Sequence, residues 1–168
     1  MREFLIIDGY NVINGWPELK ALAQENLEHA RMKLIDIVTN YRGIVGLSVI
    51  VVFDAYMVKG RGERCEAVNG VQIVYSKENE TADAVIERYT HLLRDEKVYV
   101  VTSDWEEQRV IFGNGAYRVS VRQLREDIMQ TEKLIRDKAQ KTGMSRGMLE
   151  HRLSEEVRKA MELWRRSK

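Results

Sequence analysis

Residues 49–54 read Val49-Ile50-Val51-Val52-Phe53-Asp54. An unbroken run of β-branched and aromatic residues is the pattern of a strand covered on both faces. The run stops at an acid. Outward from it the same design recurs. Phe4-Leu5-Ile6-Ile7 stops at Asp8-Gly9, Val71 to Tyr75 is a further short strand, and Val98-Tyr99-Val100-Val101 stops at Thr102-Ser103-Asp104. Between these strands the apolar period changes to that of a helix. Leu27, Ala30, Leu34, Val38 and Tyr41 share one face of a helix predicted over residues 19–41. Val85, Ile86, Tyr89, Leu92 and Leu93 share a face of another, with Thr81 as its cap. Strands alternating with helices predict a mostly parallel sheet with helices on both faces, a three-layer α/β sandwich.

The remaining chain reads as helix and connection. Ser103 and Glu106 have capping-box spacing, as do Ser120 and Gln123. The second box opens a long helix with Val121, Leu124, Ile128, Thr131 and Ile135 on one face, ended by Gly143. Residues 144–153 read as a connector, and Ser154 starts a last helix with Val157, Ala160, Met161 and Trp164 inward. The expected organisation is a domain over residues 1–143 and a basic helical extension over 144–168, packed on the same domain. Residues 57–70 have no period, carry glycines and the cations Lys59, Arg61 and Arg64, and read as an exposed basic loop.

The composition fits this picture. In 168 residues, 44% are hydrophobic and only one is proline, so a core can be buried and wholesale disorder is excluded. The longest apolar runs fall far short of the ~20 residues of a membrane helix. The N-terminus lacks the long apolar stretch of a signal peptide, and a cytoplasmic location is expected. Cys65 is the only cysteine, which excludes a disulfide framework and a cysteine-based zinc site. His29, His91 and His151 lie in separate helical segments without metal-ligand spacing. No GxGxxG or GxxxxGK[ST] stretch is present, against dinucleotide and P-loop chemistry. The net charge of +1 hides an asymmetry: residues 1–117 carry 13 Lys/Arg against 18 Asp/Glu, residues 118–168 carry 14 against 8. A solvated helical surface accounts for it, and so does an acidic body that binds metal with an extension that binds a polyanion.

The acids carry the candidate chemistry. Asp8, Asp54 and Asp104 each end a predicted strand, and ligands of open parallel sheets bind beyond the carboxyl ends of the strands. Asp83 stands at the start of a helix, with Glu80 and Glu87 near it in sequence. Converging carboxylates repel one another unless a hard cation sits among them, and Mg²⁺ or Mn²⁺ takes such oxygen ligands. Each acid also has a plainer reading: Asp104 as a helix cap, Asp83 as a complement to a helix dipole, Asp54 as a turn residue. Together on one sheet edge they favour a metal site. Asn11 would turn its amide toward the site across Gly9, or cap a helix. Ser103 would hold a water, or cap a helix.

Four stretches, FLIIDGYNVINGWPEL (4–19), VIVVFDAYMVKG (49–60), YSKENETADAVIE (75–87) and VVTSDWEEQRVIFGNGAYRVS (100–120), resemble the NYN-domain family of PIN-like nucleases, in its bacterial YacP-type branch. The ordered set DGYN, FDA, ETAD and TSD carries the resemblance, which extends over nearly the whole chain. FDA stands where the broader family often has FDG. The resemblance implies a PIN-like sandwich and metal-dependent cleavage of RNA. It implies that Asp8, Asp83 and Asp104 are metal-binding catalytic acids, with Asp54 a fourth candidate ligand and Asn11 part of the opening motif. The branch is similar to an endoribonuclease that cuts mRNA on the ribosome, so mRNA and the ribosome are the expected partners and Mg²⁺ or Mn²⁺ the expected cofactor. Ser103, Lys59, Arg61, Arg64, Arg118 and Arg122, with Arg125, are the candidate contacts to RNA; solubility is the alternative reading of these cations. Two other classes remain at this stage. One is a non-catalytic RNA or ribosome adaptor. The other is a phosphoacceptor receiver domain with Asp54 as acceptor, although Asp8 is followed by Gly9 where receivers place adjacent acids.

Overall fold

The computed structural model describes residues 1–57, 64–103, 113–142 and 157–164. The chain forms β1 (Glu3–Asp8), α1 (Gly9–Gly15), α2 (Pro17–Glu25), α3 (Leu27–Val45), β2 (Ser48–Phe53), a 3₁₀ turn (Ala55–Met57), β3 (Arg64–Val68), β4 (Val71–Tyr75), α4 (Ala82–Leu92), β5 (Lys97–Val101), β6 (Tyr117–Val119) and α5 (Val121–Thr142). Residues 157–164 form a further helix, α6.

The six strands lie in the order β3-β4-β2-β1-β5-β6. All neighbours pair in parallel except β3 and β4, which form an antiparallel hairpin. Within each central strand alternate residues enter opposite cores. Leu5, Ile7, Val49, Val51, Phe53, Tyr99 and Val101 face one cluster, together with residues of α1, α2, α3, α5 and α6. Ile6, Ile50, Val52, Val98 and Val100 face the other, with Val85 and Ile86 of α4. Both faces are covered, which is why these strands read as unbroken apolar runs rather than alternating ones. The three-layer α/β expectation holds.

Counted in chain order, the parallel strands run third, second, first, fourth, fifth across the sheet. The strand order reverses between β1 and β5. A receiver domain has the order second, first, third, fourth, fifth, so this topology removes the receiver reading.

Several helix boundaries follow from their caps. The reciprocal box at α5 forms as expected: the Ser120 N–H donates to Gln123 Oε1 at 2.9 Å, and the Gln123 N–H to Ser120 Oγ at 3.0 Å. Thr81 Oγ1 accepts from the Ala84 N–H at 3.2 Å and starts α4. On α5, Val121, Leu124, Ile128 and Thr131 are buried, and Val157 and Met161 of α6 join the same core.

Four expectations need correction. The helix read over residues 19–41 is two helices, because Asn26 ends α2 and its Oδ1 accepts from the His29 N–H at 3.1 Å to cap α3. Asp8-Gly9, a dipeptide of the kind that signals a turn, is instead the start of a helix, α1, with Asp8 as its cap. The segment 57–70, read as a loop, contains strand β3. Its turn is Asn69-Gly70, both at positive φ (47° and 85°), the pairing a two-residue hairpin turn requires. The three-residue β6 had not been expected. The helix predicted from Ser103 and the start predicted at Ser154 fall largely outside the described residues.

Candidate active site

The site is assembled at the strand-order reversal. Register pairs Ile7 with Val101, so Asp8 and Thr102 come next on neighbouring strands. Asp8 is 6% exposed and serves two purposes. Its Oδ1 accepts the Asn11 N–H at 3.3 Å, which caps α1. Its Oδ2 accepts the Asn11 side-chain amide at 3.0 Å. The same amide nitrogen donates to Thr102 Oγ1 at 2.9 Å. Asn11 therefore ties the end of β1 to the end of β5 and fixes one carboxylate oxygen of Asp8. Thr102 is fully buried, and its hydroxyl gives the amide a second acceptor in a place water does not reach.

Gly9 makes this geometry possible. A β-carbon at Gly9 would lie 2.2 Å from a ring carbon of Phe53. Phe53 cannot withdraw easily, because it is buried against Tyr10 (ring centroids 5.2 Å) and Tyr75 (5.8 Å). The ring next to Asp54 thus packs on the residue next to Asp8. Tyr10 accepts from Arg31 at 3.1 Å. Burial raises its phenol pKa, with Arg31 acting in the opposite direction.

Asp54 follows β2. Its Oδ1 accepts the Tyr56 N–H at 2.9 Å, so the turn-residue reading describes one of its two oxygens. The next residue is held from β4: the Ala55 N–H donates to Ser76 Oγ at 2.9 Å. Asp83 stands in the first turn of α4, two residues past its cap. Asp8, Asn11, Asp54 and Asp83 line one open cleft of about 430 Å³, with Tyr10, Asn14, Tyr56 and Thr81.

Other predicted site residues lie elsewhere or are otherwise engaged. Arg64 pairs with Glu66 at 2.9 Å, stacks its guanidinium over Tyr75 at 4.5 Å, and lines a separate groove beside α3. Arg118 stands in β6 opposite Val100 and is half-buried. Arg122 is exposed on α5 and pairs with Glu126 at 3.0 Å; Arg125 forms a forked pair with Glu18 at 3.1 Å. Ser103 is exposed just past β5 and is not among the residues lining the cleft. Glu80 is taken up by Arg88 and by the Lys77 N–H, and Glu87 is exposed. Asp104, Lys59 and Arg61 lie outside the described residues. His29 and His91 are exposed.

Asn14 and Thr102 were missed from the sequence. Asn14 had a signal: once residues 9–15 are a helix, Asn11 and Asn14 share a face at i, i+3. Thr102 was legible only as the first residue of the TSD stretch that follows a strand.

The donor set around the cleft is oxygen only, as a hard cation such as Mg²⁺ or Mn²⁺ requires. Among the described residues no three of these carboxylates, with histidine and cysteine considered too, lie close enough to enclose a cation alone.

Acids from two strand ends, Asp8 and Asp54, and from a helix start, Asp83, line one cleft beside the reversal of a 3-2-1-4-5 α/β sheet. The chain matches the YacP-like NYN domain over residues 5–166 and belongs to that family. It is 41% identical over 166 residues to YacP of Bacillus subtilis (strain 168), covering 98% of this chain and 97% of that one. It is similar to the crystal structure of Rae1 (YacP) from Bacillus subtilis, with TM-score 0.71 and 41% identity over 97% of this chain and 94% of that one. The W164L mutant of the same protein gives TM-score 0.72 and 34% identity, over 94% of this chain and 99% of that one.

Proposed function

We propose that the protein is a metal-dependent endoribonuclease that cuts single-stranded mRNA in association with the translating ribosome. The observation that supports this best is the gathering of Asp8, Asp54 and Asp83 around one cleft in a chain of a nuclease-like family. Asp8 and Asp83 are the proposed metal-holding acids. Asp104, two residues beyond Thr102, is proposed to complete them, and Asp54 has one oxygen left to join. Bound Mg²⁺ or Mn²⁺ would supply Lewis acidity toward a phosphate oxygen and a more acidic water.

The chain's own residues prepare that site. Asn11, through its backbone N–H and its side-chain amide, holds the Asp8 carboxylate in one orientation, so its geometry is set before substrate arrives. Thr102 fixes the Asn11 amide in turn. The residues that would meet the RNA backbone are Ser103 and the cations Lys59, Arg61, Arg64, Arg118 and Arg122.

Cleavage of a short mRNA in a reconstituted translation reaction, beside the same RNA free in buffer, tests the reading. Wild type is expected to cut the translated RNA and Asp8→Asn to leave it whole. Asparagine caps helices as well as aspartate, so α1 should persist in the variant. Cutting of both RNAs by wild type would keep the nuclease and remove the ribosome. No cutting of either would refute it in favour of a binding adaptor.

A further inference from the structure

Tyr56 is a large aromatic side chain, and it is 92% exposed. Its backbone is fixed at two points. The Tyr56 N–H donates to Asp54 Oδ1 at 2.9 Å, and the adjacent Ala55 N–H donates to the buried Ser76 Oγ at 2.9 Å. It lines the same cleft as Asp8, Asp54 and Asp83. Among the described residues the other aromatics around this edge are employed: Phe53 is fully buried, Tyr75 stacks on Phe53 and lies under Arg64, and Tyr10 bonds to Arg31. An exposed ring on a pinned turn, two residues from an acid of the cleft, is how a protein presents a stacking surface to a single strand. Base–aromatic stacking tolerates any base, because every base has a π-face. Unstacked bases of single-stranded RNA are what such rings receive.

We propose that Tyr56 is the platform on which a base of the substrate strand stacks, beside the cleft that Asp8, Asp54 and Asp83 line. The inference rests on the nuclease reading and adds a binding residue to it. Stacking accounts for the choice of single strands: a base already paired and stacked in a duplex cannot lie on the ring. It gives no preference among the four bases, so any sequence preference must come from elsewhere in the complex. The ring, not the hydroxyl, carries the effect.

Two experiments on the full chain test this. The first is cleavage in the reconstituted translation reaction as the protein concentration is varied. Tyr56→Ala is expected to lower cleavage efficiency by roughly 5- to 150-fold, the range for losing one stacked base, through weaker half-saturation more than a lower maximal rate. Tyr56→Phe should cut like wild type. Full activity in Tyr56→Ala, or equal loss in Tyr56→Phe, would overturn the proposal. The second places Tyr56→Trp in the Asp8→Asn background and follows indole fluorescence as a short oligoadenylate is added, beside Asp8→Asn alone. Extra quenching by the single strand, absent with the same strand in a duplex, supports stacking. No extra quenching, or equal quenching by the duplex, overturns it. If wild type cuts nothing, the nuclease reading fails and the fluorescence result alone decides Tyr56.

Discussion

Gly9→Ala tests how the two strand-end acids are positioned. The added methyl would meet three Phe53 ring carbons at 2.2, 2.5 and 2.9 Å, inside any normal carbon contact. Phe53 is wedged between Tyr10 and Tyr75 and is fully buried, so the ring cannot simply swing away. Overpacking of this kind costs about 1–3 kcal/mol. Two effects oppose it. Alanine is the better helix former, by about 1 kcal/mol in a helix interior and less at a first turn. It also restricts the unfolded chain, by about 0.4–1 kcal/mol. At 2.2 Å the steric term wins, and a net loss of roughly 1–2 kcal/mol is expected after the opposing terms. For a chain of this size that lowers Tm by roughly 2–8 °C. Relief must separate Gly9 from Phe53, and each is bonded directly to a cleft acid. Cleavage should therefore fall along with stability. Thermal unfolding and cleavage are measured for Gly9→Ala, Phe53→Leu and the double variant. The smaller side chain should recover part of the alanine penalty, a coupling of about 0.5–3 kcal/mol. Unchanged or higher Tm in Gly9→Ala, or strict additivity in the double variant, would refute the reasoning.

Three further outcomes are expected. Asn11→Ala removes the bridge from Asp8 to Thr102 and should lower cleavage by roughly 10- to 100-fold, with circular dichroism unchanged in shape. Asp127 is buried, its carboxyl pKa is raised by that burial against the hydrogen bond it accepts from Tyr41, and it is stable in the fold when protonated. Its contribution is thus full at low pH and is lost as pH rises from the ordinary carboxylate value through the raised one. Asp127→Asn should gain stability over wild type across that window in chemical denaturation, and a gain that grows toward low pH would contradict this sign. Glu18→Gln breaks an exposed ion pair with Arg125 and should change stability by less than about 1 kcal/mol in the same assay.

The central strands were legible because both faces are buried: a residue run such as Val49 to Phe53 has no other use in a chain of this kind. The edge was not legible. Arg64, Cys65, Glu66 and Ala67 are exposed, so β3 carries no apolar signature, and only the Asn69-Gly70 turn betrayed the hairpin. The split at Asn26 was hidden because the apolar period continues through it; the break is a local capping choice. Asp8 and Asp54 were legible as residues and from the resemblance, since topology sends carboxyl ends of parallel strands to one edge. The approach of the Asn11 amide to Asp8 was expected too, but its second bond was not. Asn11 bonding Thr102 spans residues far apart in the chain, and nothing in either local sequence announces the contact. The exposed Tyr56 is invisible for the opposite reason: burial, not residue type, distinguishes it from Tyr10.

The proposed chemistry requires the cleft acids to act as one cation site. Mn²⁺ binding followed by electron paramagnetic resonance, in wild type, Asp8→Asn and Asp83→Asn of equal circular dichroism, tests this most directly. Wild type is expected to bind Mn²⁺, and each single substitution, although the two residues lie on different elements, to weaken the same site. Equal Mn²⁺ binding by all three proteins would contradict it.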